Sequence, residues 1–118
     1  MHTRDKGNKA EDMVADALIF KGHIIVERNV YGQKGEIDIV SIKDKTLYIY
    51  EVKSLIVHND LEDHVDPLGA IDKNKIQRIK SVFKEKLWKT YCSFSIKIYG
   101  VRVLIFKHKT KITFVEVI

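Results

Sequence analysis

Two short segments place charged side chains inside otherwise apolar, strand-like runs: Gly35-Glu36-Ile37-Asp38-Ile39-Val40 and Tyr48-Ile49-Tyr50-Glu51-Val52-Lys53-Ser54. Side chains along a strand alternate between faces, so Glu36 and Asp38 share one face, as do Glu51 and Lys53. A tight turn at Asp44-Lys45 sets Lys43 against Thr46 and fixes the register of the two strands. Asp38 then faces Glu51, and Glu36 faces Lys53. The second pair attracts, whereas the first sets two carboxylates side by side, which destabilises a sheet unless positive charge lies between them. A divalent cation answers that demand. Two carboxylates with no thiolate or imidazole suit a hard ion, Mg²⁺ or Mn²⁺, rather than zinc. Lys53, beside these ligands, could orient an attacking water or stabilise charge building on phosphorus, while a bound metal lowers the pKa of that water.

An isolated Glu-x-Lys is more often a solvated ion pair than a site. Here Ile37, Ile39, Tyr48, Ile49, Tyr50 and Val52 suggest strands covered on both faces, and acids on a covered strand need compensation. Glu11 adds a third acid. By helical steps it lies about 20° around from Leu18, at the edge of an apolar stripe, so it can reach towards a sheet below, whereas Asp12 and Asp16 lie on the far side.

The elements that must position these groups follow from periodicity. Ala10, Met13, Val14, Ala17 and Leu18 predict a helix over residues 7–21, which Gly22 ends. Strands are expected over 23–30, 36–42 and 47–54, with a loop at 31–35. Asp66-Pro67 opens a second helix through about Lys89, its inward side formed by Ala70, Ile76, Ile79, Phe83 and Leu87. Alternation in Phe94-Ile96-Ile98 and Val101-Val103-Ile105 reads as strand with a bulge at Gly100, and residues 112–118 form a last strand. The expected order is α-β-β-β-α-β-β, a single α/β domain over 1–118.

Composition sets the bounds. The 118 residues, 45% hydrophobic and 31% charged, are enough to bury a core without covalent staples. A single cysteine, Cys92, excludes an internal disulfide and a Cys-based zinc finger, which points to a reducing, cytoplasmic setting. Neither a membrane span nor the apolar core of a signal peptide is expected. The formal charge of +5 is local: residues 71–89 carry Lys73, Lys75, Arg78, Lys80, Lys84, Lys86 and Lys89 against Asp72 and Glu85. Just before them, 55–69 carries Asp60, Glu62, Asp63 and Asp66 with no Lys or Arg. A basic helix following two acid-bearing strands suits a polyanion guided towards a cation.

The run Gly7-x-x-x-Glu11, Gly22, Asn29, Gly35-Glu36-Ile37-Asp38 and Glu51-Val52-Lys53, followed by Lys75-Ile76-Gln77-Arg78-Ile79, resembles the YraN-like family of small predicted endonucleases. It is similar, more distantly, to archaeal Holliday junction resolvases; both belong to the PD-(D/E)xK, restriction-endonuclease-like superfamily. The resemblance extends from Gly7 to about Phe83. It implies a restriction-endonuclease-like fold, a central mixed β-sheet flanked by helices, and a metal-dependent phosphodiesterase site. Asp38 and Glu51 would be the metal ligands, Lys53 the catalytic lysine, Glu11 the helix acid that assists metal or water, and Lys75 a basic residue near the site. Three features depart from the family pattern: Ser54-Leu55-Ile56-Val57 lacks the Arg usual after Glu-Val-Lys, the late Arg-Phe-Asp signature stands as Ser93-Phe94-Ser95, and residues 55–66 are unusually acidic.

The expectation is therefore a Mg²⁺-dependent DNA endonuclease, Mn²⁺ being the alternative ion, acting on structured or branched DNA in repair or recombination. The alternative is a catalytically inactive nucleic-acid-binding module of the same fold. Lys73, Lys75 and Arg78 are the expected nucleic-acid contacts and Glu36 an auxiliary acid; paired cleavage would require a homodimer. His58, Asp60, His64 and Asp66 form only a loose second cluster, best read as a solvated loop. Trp88, Tyr91 and Phe94 could stack on bases, but aromatics at such places more often pack into a core.

Overall fold

The computed structural model describes residues 3–58 and 72–118, with side chains from Lys9 onward. Its register-setting turn forms at Asp44-Lys45: Asp44 takes a left-handed φ of 56°, tolerated by a short polar side chain, and Lys43 pairs with Thr46. The antiparallel pairing of β2 (Gly35–Lys43) with β3 (Thr46–Ile56) continues to Ile39 opposite Tyr50. On the other side of β2 lies β1 (Ile24–Gly32), also antiparallel. The loop expected at 31–35 shrinks to the two residues Gln33 and Lys34, because Gly32 pairs with Gly35 and both strands run up to the turn. β3 pairs in parallel with β4 (Ser95–Ile105), and β5 (Thr110–Glu116) closes the far edge antiparallel to β4. The sheet order is β1-β2-β3-β4-β5.

The parallel pair demands a crossover, and its described part is helical: α2 (Lys73–Lys86), then the single turn α3 (Trp88–Tyr91). The expected opening at Asp66-Pro67, with Ala70, lies outside the described residues, as do Asp60, Glu62, Asp63 and His64. The described helix starts at Lys73, where the Asp72 side chain accepts the Lys75 N–H at 2.9 Å and satisfies one of the orphan donors of the first turn. Asp72→Ala should cost about 1 kcal/mol, measurable as a lowered denaturant midpoint. At its other end the helix does not run unbroken to Lys89, since Leu87 leaves the helical region (φ −120°) and turns its side chain into the core.

α1 (Thr3–Phe20) covers one face of the sheet and α2 the other. Ala10, Val14, Ala15 and Leu18 pack with Ile39, Tyr50, Val101 and Val103. Ile79, Val82, Phe83 and Leu87 pack with Ile37, Val40, Leu47, Ile49 and Ile98. Gly22, at φ +93°, reverses the chain after α1, and the His23 N–H closes back on the Leu18 carbonyl at 3.0 Å. Gly32 permits a close approach: a Cβ there would stand 3.1 Å from Val82 Cγ2 and Glu85 Oε1. Glu85 also accepts the Gln33 N–H at 3.1 Å, so α2 is pinned over the β1–β2 turn.

Two irregularities differ from expectation. Gly100 is no bulge: β4 pairs continuously through it on both sides. The apolar phase changes there because both faces of β4 are buried, Ile98 against α2 and Val101 and Val103 against the α1 side. A register shift falls instead in β1, between Ile25 and Glu27. Asn29, between the pairs Arg28–Ile39 and Val30–Ile37 and hence opposite Asp38, has a left-handed φ of 52°. At this point β2 rotates: Ile37 joins the α2-side core and Ile39 the α1-side core, although regular alternation would give them one face. Trp88 is half exposed, edge-on to Phe83, while Tyr91 is buried and donates to Glu27 Oε2 at 3.0 Å.

Candidate active site

The rotation of β2 falls at the site. Beyond Ile39 and Tyr50 the two strands part, β2 staying with β1 and β3 with β4. The register anticipated between 39–43 and 46–50 is present, but the extrapolated pairs Asp38–Glu51 and Glu36–Lys53 are not rungs of the ladder. Asp38 Oδ2 instead accepts the Val52 N–H at 2.7 Å, so a side chain takes the bond that a backbone carbonyl would have taken. The fork opens a cleft of about 270 Å³ lined by Glu11, Lys34, Glu36, Asp38, Glu51, Lys53, Lys75 and Arg78, with the Gly35 and Val52 backbone and Ile79. Three elements thus deliver the sequence-derived set to one place: Glu11 from α1, Glu36 and Asp38 from β2, Glu51 and Lys53 from β3. Lys75 and Arg78 arrive on α2, one helical turn apart. Lys73 lies in the same first turn but outside the cleft lining.

Asp38 and Glu51 are 5% and 4% exposed, depths at which carboxylates are rare unless compensated. Burial first, and then the Glu51 charge, push the Asp38 pKa up to about 7, against the stabilising Val52 N–H. Glu51 Oε1 receives two amines, Lys75 Nζ at 2.9 Å and Lys53 Nζ at 3.4 Å. The hydrogen bond to Glu51 raises the Lys75 pKa, partly offset by its own burial. Glu11 is raised as well, chiefly by burial, with Arg28 acting in the opposite sense. Its Oε1 is buried and, among the described residues, has no hydrogen-bond partner; the nearest cation is Arg28 Nη2 at 3.9 Å, which bonds Asp12 more closely at 2.8 Å.

This donor set fits a hard divalent cation. It offers only oxygens, two of its carboxylates are buried and close enough for each to raise the other's cost of ionising, and a third, Glu11, lines the same cleft. Among the described residues no three acidic, His or Cys side chains are already gathered around one point. The two amines on Glu51 occupy that role in its place, and Mg²⁺ commonly takes one or two carboxylates and completes its shell with water and phosphate. The loose cluster of His58, Asp60, His64 and Asp66 lies, His58 apart, outside the described residues.

Sequence reasoning placed Lys75 towards nucleic acid and missed its ion pair with Glu51. It also missed Arg28 and Lys34, which come from an edge strand and a turn and carry no periodic signal.

The five-stranded mixed sheet with helices on both faces, its acids and lysine at a fork between two central strands, is compatible with a restriction-endonuclease-like fold. Residues 10–101 match the model of the uncharacterised protein family UPF0102, and the chain belongs to that family. The YraN-like resemblance holds at this level. The chain is 33% identical over 97 residues to a UPF0102 protein of Helicobacter hepaticus, covering 78% of this chain and 82% of the relative. A UPF0102 protein of Helicobacter pylori is 38% identical over 76 residues, 64% of this chain and 60% of the relative. One of Sulfurimonas denitrificans is 35% identical over 77 residues, 65% of each. The matched part is less than two thirds of the length of these last two proteins.

Proposed function

We propose that the protein is a metal-dependent endodeoxyribonuclease that hydrolyses phosphodiester bonds of structured or branched DNA in repair or recombination, working in the cytoplasm. The observation that carries the reading is the convergence of Glu11, Asp38, Glu51 and Lys53 from α1, β2 and β3 in one open cleft rimmed by Lys34, Lys75 and Arg78.

Asp38 and Glu51 would hold Mg²⁺ or Mn²⁺. When bound, the ion would supply Lewis acidity, lowering the pKa of a water and offsetting negative charge on the phosphate. Lys53, about a third exposed and already within reach of Glu51, orients that water and faces the developing charge on phosphorus. Glu11, in the cleft lining, would supply a carboxylate as hydrogen-bond acceptor for the water. Arg78 and Lys34 meet the flanking phosphates, and Lys75 can turn from Glu51 to a phosphate once other positive charge reaches that carboxylate. Lys73, outside the cleft, would extend the basic track. No helix of the described residues is long and apolar enough to cross a membrane.

Incubation with labelled junction, flap and linear DNA, with Mg²⁺ or with EDTA, tests the reading. Products that need Mg²⁺ and favour the branched substrates are expected. Metal-dependent binding without products would instead identify a binding module that has lost turnover. The basic helix makes a separate prediction: Lys73→Ala and Arg78→Ala should each make the slope of log K against log salt shallower by about one. Titration of binding against salt checks this, and an unchanged slope would remove that residue from the interface.

A further inference from the structure

On the N-terminal side of the cleft residues of β3, a second pocket of about 210 Å³ opens where the C-terminal end of α1 meets the sheet. α1 packs mainly over β1 to β3, which leaves the β3–β4–β5 part of this face partly open. Four rings line the opening, from three neighbouring strands: Tyr48 and Tyr50 on β3, Tyr99 on β4 and Phe114 on β5. Tyr48 and Tyr50 lie nearly parallel, 15° apart with centroids 6.3 Å apart, and Tyr99 stands 5.9 Å from Tyr48. His23 meets the edge of Tyr48 at 4.8 Å and is anchored through Nδ1 to Ser41 Oγ at 2.8 Å. Tyr50 is almost wholly buried, whereas Tyr48, Tyr99 and Phe114 keep part of their surface in solvent.

Aromatic neighbours across strands would stabilise a sheet without any ligand. What sheet packing alone does not require is the charge around them. Lys21 lies over the Phe114 ring at 4.3 Å and Lys43 lines the same pocket, with no carboxylate in the lining. The nearest acid on β5, Glu116, is taken by the Tyr99 hydroxyl at 3.1 Å and by Lys97. Part-exposed rings beside two amines match a flat aromatic base joined to a phosphate.

We propose that this pocket holds an unpaired nucleotide of a nucleic-acid strand, its base on Tyr48 and Tyr99 and its phosphate facing Lys21 and Lys43. The inference rests on the nuclease reading for the kind of polymer. Between Glu11 in the cleft and Lys21 at the pocket, α1 spans about 15 Å, so a single strand of a few nucleotides could engage both. The site would thereby select DNA that carries an unpaired segment beside the scissile bond.

Fluorescence anisotropy in EDTA, with a labelled oligothymidylate and an abasic oligonucleotide of equal length, tests this without any cleavage. The oligothymidylate should bind at least about fivefold more tightly. Tyr48→Leu should remove that preference while keeping the abasic affinity, and Lys21→Gln combined with Lys43→Gln should weaken both. Should Tyr48→Leu fail to fold, Tyr99→Leu carries the same comparison. Equal affinities in the unaltered protein, or a preference that survives the ring replacements, would overturn the proposal. So would thymidine monophosphate binding as tightly as the oligonucleotide, since a strand would then not be what is recognised. Mg²⁺-dependent cutting by Tyr48→Leu, followed separately, tells failure of this pocket from failure of the nuclease assignment.

Discussion

Asp38→Ala should lower Mg²⁺-dependent cleavage by at least about a thousandfold, with folding intact. Asp38 is where the site's constraints meet. Its carboxylate caps the fork between β2 and β3 through the Val52 N–H, and it lies against Glu51 at 5% exposure. Removing it leaves Glu51 with Lys53 and Lys75, which neutralise it, so the cleft keeps its amines but loses the acid pair that calls for a cation. DNA binding measured in EDTA should be undiminished, because a negative charge has been taken from a basic cleft. Lys53→Ala should lose cleavage to a similar degree for a different reason, the loss of water orientation and charge stabilisation. Asp16→Asn is the control: Asp16 is exposed on α1, outside the cleft lining, and its replacement should change the rate little. Undiminished cutting by Asp38→Ala or Lys53→Ala would sink the assignment.

The second large effect is on stability, and its sign depends on pH. A carboxyl raised in the folded protein stays protonated there after its unfolded counterpart has ionised, so the unfolded state binds fewer protons. With the Asp38 pKa moved from 3.8 to about 7, the stability this group contributes is complete below pH 3.8 and is lost as pH rises towards 7. The loss is on the order of 4 kcal/mol, from about 1.4 kcal/mol per pKa unit. Asp38→Asn keeps the acceptor for Val52 and removes the ionisation. In EDTA at pH 8 it should therefore raise the melting temperature by roughly 5–15 °C, with little gain near pH 4. Mg²⁺ should stabilise the unaltered protein at pH 8 but not Asp38→Asn. Thermal melts of both proteins at the two pH values, with Mg²⁺ and with EDTA, check all three statements. An Asn variant no more stable than the unaltered chain at pH 8 would show that Asp38 is not under this electrostatic load.

Much of this was legible in the sequence, for reasons that particular residues make plain. The Asp44-Lys45 turn sets the β2–β3 register, and that register runs to Ile39 and Tyr50, the residues next to the two acids. The α1 stripe, repeated at helical spacing, likewise identified its buried face. Local pattern failed where tertiary context took over. Gly100 looked like a bulge because apolar residues change phase there, yet a strand covered on both faces has no single phase to keep. The fork at Asp38 was invisible because it shows only in three dimensions, where Asp38 lies opposite Asn29, a residue on another strand with a left-handed φ. The contact of Lys75 with Glu51 needed the path of α2 over the sheet, which is set by the close approach at Gly32.

That division between local and distant contacts also orders the assembly of the site in time. β2 and β3 are joined by two residues, whereas β3 meets β4 only when residue 46 finds residue 95 through a parallel crossover. Loop-closure entropy makes the hairpin the early event and the crossover the late one. Asp38 and Glu51 are thus brought together before α2 delivers Lys75, and the chain must pass through a species in which their repulsion lacks one of its final counter-charges. Refolding should then be faster near pH 4 than at pH 8, because a proton on Asp38 relieves its repulsion from Glu51 before the helix arrives.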